Sequence, residues 1–413
     1  MIIKRDYYLQ QLISSKSNNL IKIVTGIRRS GKSFLLFNLF HNHLIETGVS
    51  EDHIIEIALD DRLNKNLRDP DAILQHIHER IVDDKLYYII LDEVQMIDEF
   101  TDVLNSLLHI RNADVYVTGS NSKFLSKDVV TEFRGRGDEI HLFPLSFAEL
   151  YNSLGGDKLE LWKSYYTYGG LPGILELDGE KKKAAYLRSL HETVYLKDII
   201  ERNNLKNSEE FMELMRVMAS CIGSPCNPSK LEKTFKSVKN ETLDRKTISK
   251  YLSNMEDAFL IEKSMRYDIK GRKYIGTLSK YYFQDIGLRN ALLNFRQVEE
   301  NHIMENVIYN ELRLRGFCVD VGMVEARTAT ERKQLEVDFV ANMADRRYYI
   351  QSAFAMPDDD KREQESASLK RIDDSFKKII IMRDDIKPYH DNNGFYIVGL
   401  MDFLLKPDLI EQL

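Results

Sequence analysis

The stretch IKIVTGIRRSGKSFLL (residues 21–36) sets a glycine-rich segment between two apolar runs. From Gly26 to Ser33 its spacing is G-x-x-x-x-G-K-S, the pattern of the loop that binds phosphates in P-loop NTPases. Residues 20–24 form a β-branched run that predicts a buried strand, and residues 33–40 are apolar and helix-like. Successive backbone N–H groups in such a turn, together with a helix N-terminus, can point at a polyphosphate. The pattern therefore predicts a nucleotide site.

The side chains of this loop have distinct expected roles. Lys32 is expected to reach the β- and γ-phosphates, and the Ser33 hydroxyl is expected to bind Mg²⁺. We therefore expect ATP and Mg²⁺ as cofactors. The candidate nucleotide-binding segment comprises Gly26, Ile27, Arg28, Arg29, Ser30, Gly31, Lys32, Ser33 and Phe34.

Composition limits the class of protein. At 413 residues the chain is long for one domain, so two or three domains are expected. Its 43% apolar and 30% charged residues are typical of a soluble globular protein that buries sizeable cores. The net charge of −7 argues against nucleic-acid binding by the whole surface, although a local basic patch is compatible with it.

The cysteines and the apolar runs indicate the compartment. Cys221, Cys226 and Cys318 are too few and too scattered for a disulfide framework or a zinc site, so we expect free thiols in a reducing environment. The first residues, MIIKRDYYLQQL, lack the apolar core of a signal peptide. No run approaches the ~18 apolar residues of a membrane span. We therefore expect a cytoplasmic protein that does not associate with a membrane.

Strand-like and helix-like segments alternate between residues 20 and 150. This alternation predicts a parallel sheet covered on both faces by helices, with ligands bound at the carboxyl ends of its strands. After the glycine-rich loop, the predicted strands are 53–59, 85–94 and 113–122, and the predicted helices are 69–81 and 99–110.

Polar residues end two of these strands. The run YYIILDEVQ delivers Asp92 and Glu93 to the sheet edge, which resembles a Walker B site. Asp92 would bind Mg²⁺, and Glu93 would polarise the attacking water during phosphoryl transfer. The next strand ends in TGSN, where Ser120 or Asn121 could orient the water from the other side as a sensor residue. The pattern does not separate these two candidates.

Two arginines follow in the run EFRGRG. Arg134 or Arg136 could act as an arginine finger on the γ-phosphate of a neighbouring subunit. The alternative is a solvated basic loop, or salt bridges to Glu132 and Asp138. Both interpretations stay open at this point.

The motifs GIRRSGKS, LDEVQ, TGSNSKFLS, FRGRG, FPLSFAEL and YGGLPGIL occur here in the order found in a group of prokaryotic AAA-type ATPases that carry a C-terminal domain of unknown function. The chain resembles this family over nearly its whole length, which implies ATP hydrolysis. Within YTYGGLPGIL, Gly170 and Pro172 match the G-x-P element of the helical lid in related ATPases, so the resemblance implies that Pro172 packs near the adenine base. A simple helix-breaking turn is the alternative.

The segment 203–290 predicts a winged helix, because helical patterns are followed by a hairpin with Lys270 and Gly271 at its tip. Residues 228–280 hold 13 Lys and Arg against 7 Asp and Glu, a local charge of +6 against −13 for the rest of the chain. This surface is a candidate DNA contact; packing against the lid or a partner subunit is the alternative. The basic candidates are Arg245, Lys246, Lys250, Arg266, Lys270, Arg272 and Lys273.

The last segment matches the layout of a restriction-endonuclease-like fold, with acids at Glu305 and Asp338. Active members place an acid and then a lysine where this chain has Gln351 and Ala353. Without both, we expect neither a carboxylate pair for Mg²⁺ nor a lysine that activates water, unless a lysine of the next helix substitutes. The sequence therefore predicts a structural or binding module.

The combined prediction is an α/β protein in four segments: a P-loop AAA-type ATPase domain (1–150), a helical lid (151–202), a winged helix (203–290) and a degenerate nuclease-like α/β domain (291–413). The first functional hypothesis is an ATP-hydrolysing machine or switch, a homo-oligomer such as a hexamer, that acts on DNA through the winged helix. The second is a nucleotide-dependent switch that acts on a protein partner without nucleic acid. An ATP-coupled nuclease is the third, which Gln351 and Ala353 disfavour.

Overall fold

The computed structural model describes residues 3–120, 137–205, 207–239, 243–327 and 332–412. Its contacts divide the chain into two compact units. The first unit comprises Met1–Leu145, Leu171–Glu176 and Asp257–Phe259; the second comprises Ser146–Gly170, Leu177–Glu256 and Leu260–Leu413. Each unit contains its own sheet.

The first unit is built on a five-stranded sheet in the order β2-β3-β4-β1-β5, and every pairing in it is parallel. The prediction of a parallel sheet is therefore confirmed, although β5 was not anticipated from the sequence. Its strands are β1 (Ile21–Thr25), β2 (Ile54–Ala58), β3 (Tyr87–Asp92), β4 (Ala113–Thr118) and β5 (Gly137–His141).

Helices cover both faces of this sheet because successive strand residues point to opposite sides. One face carries Ile23, Leu91 and their equivalents, packed on α3 (Pro70–Arg80) and α4 (Phe100–Leu107). The other face packs on α1 (Asp6–Ser14) and on α2, which follows the glycine-rich loop. Helix α2 runs through the consecutive segments Lys32–Phe34, Leu35–Phe40 and His41–Glu46, the middle one with π-type hydrogen bonding.

The second unit begins with helices. These are α5 (Phe147–Leu154), α6 (Lys158–Tyr168), α7 (consecutive segments Glu180–Leu190, His191–Leu196 and Lys197–Asn203), α8 (Ser208–Ser220), α9 (Pro228–Lys239), α10 (Arg245–Asp257), α11 (Ile286–Leu292) and α12 (Glu300–Leu314). The helices α13 (Asp359–Ser366) and α14 (Leu400–Leu405) follow later in the chain. None of the described helices is long and apolar enough to cross a bilayer.

The sheet of the second unit has eight strands in the order β12-β13-β11-β10-β9-β8-β6-β7. They are β6 (Ile261–Asp268), β7 (Lys273–Phe283), β8 (Cys318–Arg327), β9 (Arg332–Met343), β10 (Arg346–Ala353), β11 (Lys377–Met382), β12 (Tyr389–His390) and β13 (Tyr396–Gly399). Apolar clusters lie on both faces; Ile350 and Ile379 pack towards α12, whereas Tyr349 and Ile380 lie in the cluster of the opposite face.

The predicted hairpin is present as β6 and β7, but its setting differs from a free wing. The carboxyl end of β6 pairs in parallel with β8, from Arg266 opposite Val321 to Asp268 opposite Met323. The hairpin thus continues the sheet of the 291–413 segment, because its backbone groups find partners there. The division of the chain into four segments stays a prediction.

Candidate nucleotide-binding site and a buried carboxylate cluster

The glycine-rich loop leaves β1 in conformations that favour glycine. Gly26 has φ +136°, and a Cβ built there would lie 2.2 Å from the carbonyl oxygen of Leu142, so no other residue fits without movement. Gly31 has φ +99° and begins α2. A Cβ on Gly31 would lie 3.8 Å from Cγ of Pro172, which places the predicted adenine-side proline beside the loop. The loop therefore runs close to backbone on one side and to Pro172 on another.

The Lys32 side chain turns back into the loop. Its Nζ donates hydrogen bonds to the carbonyl oxygens of Gly26 at 2.9 Å and Ile27 at 3.1 Å, and the residue is only 4% exposed. Among the other loop residues, Ser30 is buried, whereas Arg29 is exposed. The ammonium of Lys32 is thus held where the loop encloses it.

Ser33 and Asp92 lie side by side. The Ser33 hydroxyl donates a hydrogen bond to Oδ2 of Asp92 at 2.8 Å, and Oδ1 of Asp92 accepts one from the Thr118 hydroxyl. Asp92 is 4% exposed. Burial raises the pKa of the Asp92 carboxyl above its ordinary value, with a further contribution from the nearby Glu93, and outweighs the two hydrogen bonds that lower it. A cation bound here would relieve this cost.

Glu93 lies immediately beyond β3 in a left-handed conformation, with φ 53°. Its carboxylate accepts hydrogen bonds from the Ser120 hydroxyl at 2.8 and 3.1 Å, and from the side-chain amide of Gln95. Its backbone N–H donates to the Thr118 hydroxyl at 2.8 Å. Thr118 therefore bonds to both adjacent acids, to the side chain of Asp92 and to the backbone of Glu93.

The structure brings together five of the predicted residues, at the carboxyl ends of β1, β3 and β4. They are Lys32, Ser33, Asp92, Glu93 and Ser120. Of the two candidate sensors, Ser120 contacts Glu93, while Asn121 lies outside the described residues, as do Arg134 and Arg136.

Two further residues at this site were missed by the sequence analysis. The first is Thr118, whose position at the end of β4 is the one signal that could have identified it. The second is Arg5, which is buried and donates to the carbonyl oxygens of Phe143 at 2.8 Å and Ser30 at 3.3 Å. Arg5 lies 25 residues before the loop residue that it holds, so no local pattern indicates the contact.

A second group of charged residues lies in the second unit. Lys280 on β7 is 2% exposed; its Nζ is 2.8 Å from Glu305 on α12, and 2.7 and 3.7 Å from Glu336 and Asp338 on β9. The Tyr282 hydroxyl donates to Glu305 at 2.7 Å. Three carboxylates thus share one ammonium; we call these four charged residues the Lys280 cluster.

Electrostatics within the Lys280 cluster are dominated by burial and by the close charges. Burial lowers the pKa of Lys280, but Glu305, Asp338 and Glu336 outweigh it and the net pKa is raised. For Asp338, burial and the charge of Glu305 raise the pKa, against the opposing effect of Lys280 and a hydrogen bond from the Ser352 N–H. Lys280 therefore offsets part of the cost of burying a charge at Asp338.

Lys280 lies beside Glu305 and Asp338 from β7, a position that the motif spacing did not suggest. The expectation that the C-terminal module lacks a lysine that activates water stays a prediction. Lys361 and Lys370 are the two lysines that could substitute from the following segment. Lys361 pairs with Glu365 at 2.7 Å, and Lys370 pairs with Glu363. Among the described residues, no group of three or more His, Cys, Asp or Glu side chains is arranged to hold a metal ion.

The predicted DNA-contacting surface is partly neutralised. Arg266 is 8% exposed and its Nη2 contacts Sδ of Met323, so it faces the interior. Lys270 lies 3.6 Å from Asp373, and Arg245 lies 2.6 Å from Glu232. The remaining basic candidates are exposed; they are Lys246, Lys250, Arg272 and Lys273.

Comparison with known proteins identifies the family to which the chain belongs. Residues 18–151 match the model of an AAA domain, and residues 159–299 match a domain of unknown function, DUF8612. The chain is 33% identical over 414 residues to an uncharacterized protein of Haemophilus influenzae, covering 98% of this chain and 99% of that one. It is 28% identical over 391 residues to the uncharacterized protein MJ1544 of Methanocaldococcus jannaschii, covering 90% and 82%.

Among solved structures, the Aeropyrum pernix Orc1 protein in complex with DNA aligns at 13% identity and a TM-score of 0.30, over 71% of this chain and 92% of that chain. At that score the likeness carries no inference about a partner. The match of residues 18–151 to an AAA domain agrees with the geometry of the loop and the strand ends. The chain therefore belongs to a family of AAA-type P-loop ATPases whose AAA domain is followed by a domain of unknown function.

Proposed function

We propose that this protein binds ATP together with Mg²⁺ at the glycine-rich loop and hydrolyses it. The observation that carries the proposal is the contact between the Ser33 hydroxyl and the Asp92 carboxylate, 2.8 Å apart, beside the enclosed Lys32 ammonium. Hydroxyl and carboxylate oxygens are the hard ligands that Mg²⁺ prefers. Gly26 and Gly31 adopt positive φ values, which glycine tolerates and which allow successive backbone N–H groups to point at one anion. The donor set fits the metal and the nucleotide.

In this proposal Ser33 and Asp92 hold the metal, and Lys32 holds the phosphates. Bound Mg²⁺ would supply charge neutralisation for the phosphate oxygens. The ammonium of Lys32 would exchange its two carbonyl acceptors for phosphate oxygens, which form stronger, charge-assisted hydrogen bonds. The backbone N–H groups of the loop and of the start of α2 would point at the same oxygens.

We assign Glu93 to activate the attacking water. Its carboxylate would accept a hydrogen bond from the attacking water and increase the nucleophilicity of the water oxygen. Ser120 and Gln95 hold that carboxylate, and Thr118 holds the backbone that carries it. We therefore assign Ser120 as a positioning residue that acts through Glu93. Arg134 and Arg136 keep their predicted role as fingers that complete the site of a neighbouring subunit in a homo-oligomer.

The test compares Glu93→Gln with Glu99→Gln, an exposed acid six residues further on. Glu93→Gln should bind a fluorescent ATP analogue like the wild type but lose about 10²-fold or more in kcat, since general-base catalysis contributes that much. Glu99→Gln should keep full turnover. Lys32→Ala should lose nucleotide binding. If Glu93→Gln releases phosphate at the wild-type rate, the assignment of Glu93 as the residue that activates water is wrong.

The partner in this proposal is DNA, held by the exposed Lys246, Lys250, Arg272 and Lys273. A protein partner is the second candidate, favoured by the ion pairs that neutralise Lys270 and Arg245. Filter binding of generic duplex and branched DNA, with and without ATP, separates them. Replacing Arg272 and Lys273 by Ala should weaken duplex binding for all sequences, because phosphate contacts carry no sequence information. If the protein binds neither the duplex nor the branched DNA, the protein-partner hypothesis is favoured.

A further inference from the structure

A groove in the second unit lies apart from the residues assigned above. It is formed by α6, α7 and the segment 294–298, and its volume is about 1090 Å³. Small-molecule pockets typically measure roughly 300–1,000 Å³, so this groove is at the upper end of that range and has room for a segment of a chain.

Its charged lining is mainly basic. Lys163, Lys181, Lys183 and Arg188 line the groove, with Glu160 and Glu180 as the acids. Within the part of the chain that the structure describes, none of these four cations has a carboxylate within 4.0 Å. Unpaired cations gathered in one groove attract an anionic ligand, even though the whole chain carries a charge of −7.

Aromatic rings lie among these cations. The centroids of Tyr168 and Phe295 are 6.0 Å apart, and Nζ of Lys183 is 5.5 Å from the Tyr168 centroid. Phe295 and the preceding Asn294 both have left-handed backbone conformations, with φ 58° and 50°. A bulky residue rarely adopts this conformation unless its surroundings impose it. The fold therefore imposes this backbone conformation on Phe295, which lines the groove.

The wall that carries Tyr168 is fixed before any ligand arrives. The Asn290 side-chain amide donates to the carbonyl oxygens of Tyr166 and Thr167, both at 2.9 Å. Gly287 packs so closely that a Cβ there would lie 2.0 Å from the carbonyl oxygen of Tyr168. The groove is thus preorganised, which lowers the cost of binding.

We propose that this groove binds single-stranded nucleic acid, with the cations on its phosphates and with bases stacked on Tyr168 and Phe295. Positively charged grooves that contain stacking aromatic rings are the usual construction for this ligand. A duplex keeps its bases paired and offers no face to the rings, and an acidic protein segment would use the cations but not the rings. The residues that line the groove differ from those assigned to ATP and from the basic residues of β7 and α10.

The lysine run 181–183 provides a matched control. Lys181 and Lys183 line the groove, whereas Lys182 between them is exposed and does not. Fluorescence anisotropy of the full-length protein with a labelled 20-mer of thymidylate would be measured across a salt series. The double variant Lys181→Ala/Lys183→Ala should bind more weakly, and its log–log salt slope should be smaller by about 1.4, since single strands give about 0.7 per phosphate contact. Lys182→Ala should match the wild type.

Phe295→Ala tests the stacking separately. It should weaken binding by roughly tenfold, the effect expected for one lost base stack, and leave the salt slope unchanged. Circular dichroism and thermal unfolding would show that each variant is folded. The proposal would be overturned if Lys182→Ala and the double variant lost equal affinity, or if Phe295→Ala bound the 20-mer like the wild type. It would also be overturned if polyglutamate displaced the 20-mer as effectively as unlabelled 20-mer does. That last outcome would assign the groove to an acidic protein partner. None of these readouts requires ATP hydrolysis.

Discussion

The Ser33 hydroxyl bonds to the Asp92 carboxylate at 2.8 Å, although 59 residues separate them in the chain. Ser33 lies in the first turn of α2, which follows the loop at the carboxyl end of β1. Asp92 is the last residue of β3, and β4 lies between β1 and β3 in the sheet. Parallel strands bring their carboxyl ends to the same edge, so the two candidate metal ligands meet there. Burial raises the pKa of Asp92, so the charged carboxylate is disfavoured there without a compensating partner.

Asp92→Asn should remove the dependence of nucleotide binding on Mg²⁺. Wild-type protein should bind a fluorescent ATP analogue more tightly with Mg²⁺ than with EDTA, because the metal links Asp92 to the phosphates. The variant should show the same affinity in both buffers. Asp71→Asn, which changes an exposed acid on α3, is the control and should keep the Mg²⁺ effect. A full Mg²⁺ effect in Asp92→Asn would move the metal elsewhere.

Thr118→Val should lower kcat and stability together. Valine has the shape of threonine but cannot bond to the Asp92 carboxylate or accept the Glu93 N–H. An unsatisfied buried donor costs about 1–3 kcal/mol, and Glu93 loses its fixed position. Urea unfolding and steady-state turnover measure the two effects. Thr118→Ser keeps the hydroxyl and should restore both; if it behaves like Thr118→Val, the hydroxyl is not the cause.

Ser120→Ala should lower kcat only while Glu93 is present. In the wild type the hydroxyl holds the Glu93 carboxylate at 2.8 Å, so its loss should slow turnover with little change in KM. In a Glu93→Gln background the same substitution should add little, because residues that act through one another are not additive. Additive losses in this double-mutant cycle would mean that Ser120 contacts the phosphates itself.

Lys280→Met should destabilise the second unit in a pH-dependent way. Removing one partner of a buried ion pair costs about 3–5 kcal/mol. Burial and Glu305 raise the pKa of Asp338, so folding favours its protonated form and stability falls as pH rises above the unfolded Asp value of about 3.9. The charge of Lys280 lowers the pKa of Asp338, so the loss of Lys280 should raise this pKa further.

The Lys280→Met deficit should therefore be largest at pH 7.5 and shrink towards pH 5, as measured by urea unfolding at both. Lys361→Met, which breaks the partly exposed pair with Glu365, should change stability by less than about 1 kcal/mol at either pH. A deficit in Lys280→Met that is independent of pH would show that lost packing, rather than the carboxylates, causes it.

Arg134 and Arg136 can be tested by mixing subunits. One subunit carries Lys32→Ala and keeps both arginines; the other lacks both arginines and keeps its P-loop. Each should be inactive alone, since losing an arginine finger costs about 10³-fold or more. If an arginine acts across an interface, the mixture should regain ATPase activity. No recovery on mixing would assign both arginines to their own subunit.

The sequence by itself determined the parts of this site that depend on neighbouring residues. The spacing from Gly26 to Ser33 fixed the loop, because the required backbone conformations are local properties of glycine. The apolar run of β3 followed by Asp92 and Glu93 fixed the strand end in the same way. Alternating strand and helix patterns likewise predicted a parallel sheet with helices on both faces.

Only the tertiary structure decided which distant residues meet. Arg5 holds the loop, Thr118 bonds to both acids, and Lys280 enters a carboxylate cluster from a strand that the sequence had assigned to a wing. Each contact depends on the order of strands in a sheet, and residue spacing along the chain does not specify that order. Lys280 is a buried counter-ion for the same reason. Its charge is evident in the sequence, but the three carboxylates around it lie on α12 and β9, which meet β7 only in the folded unit.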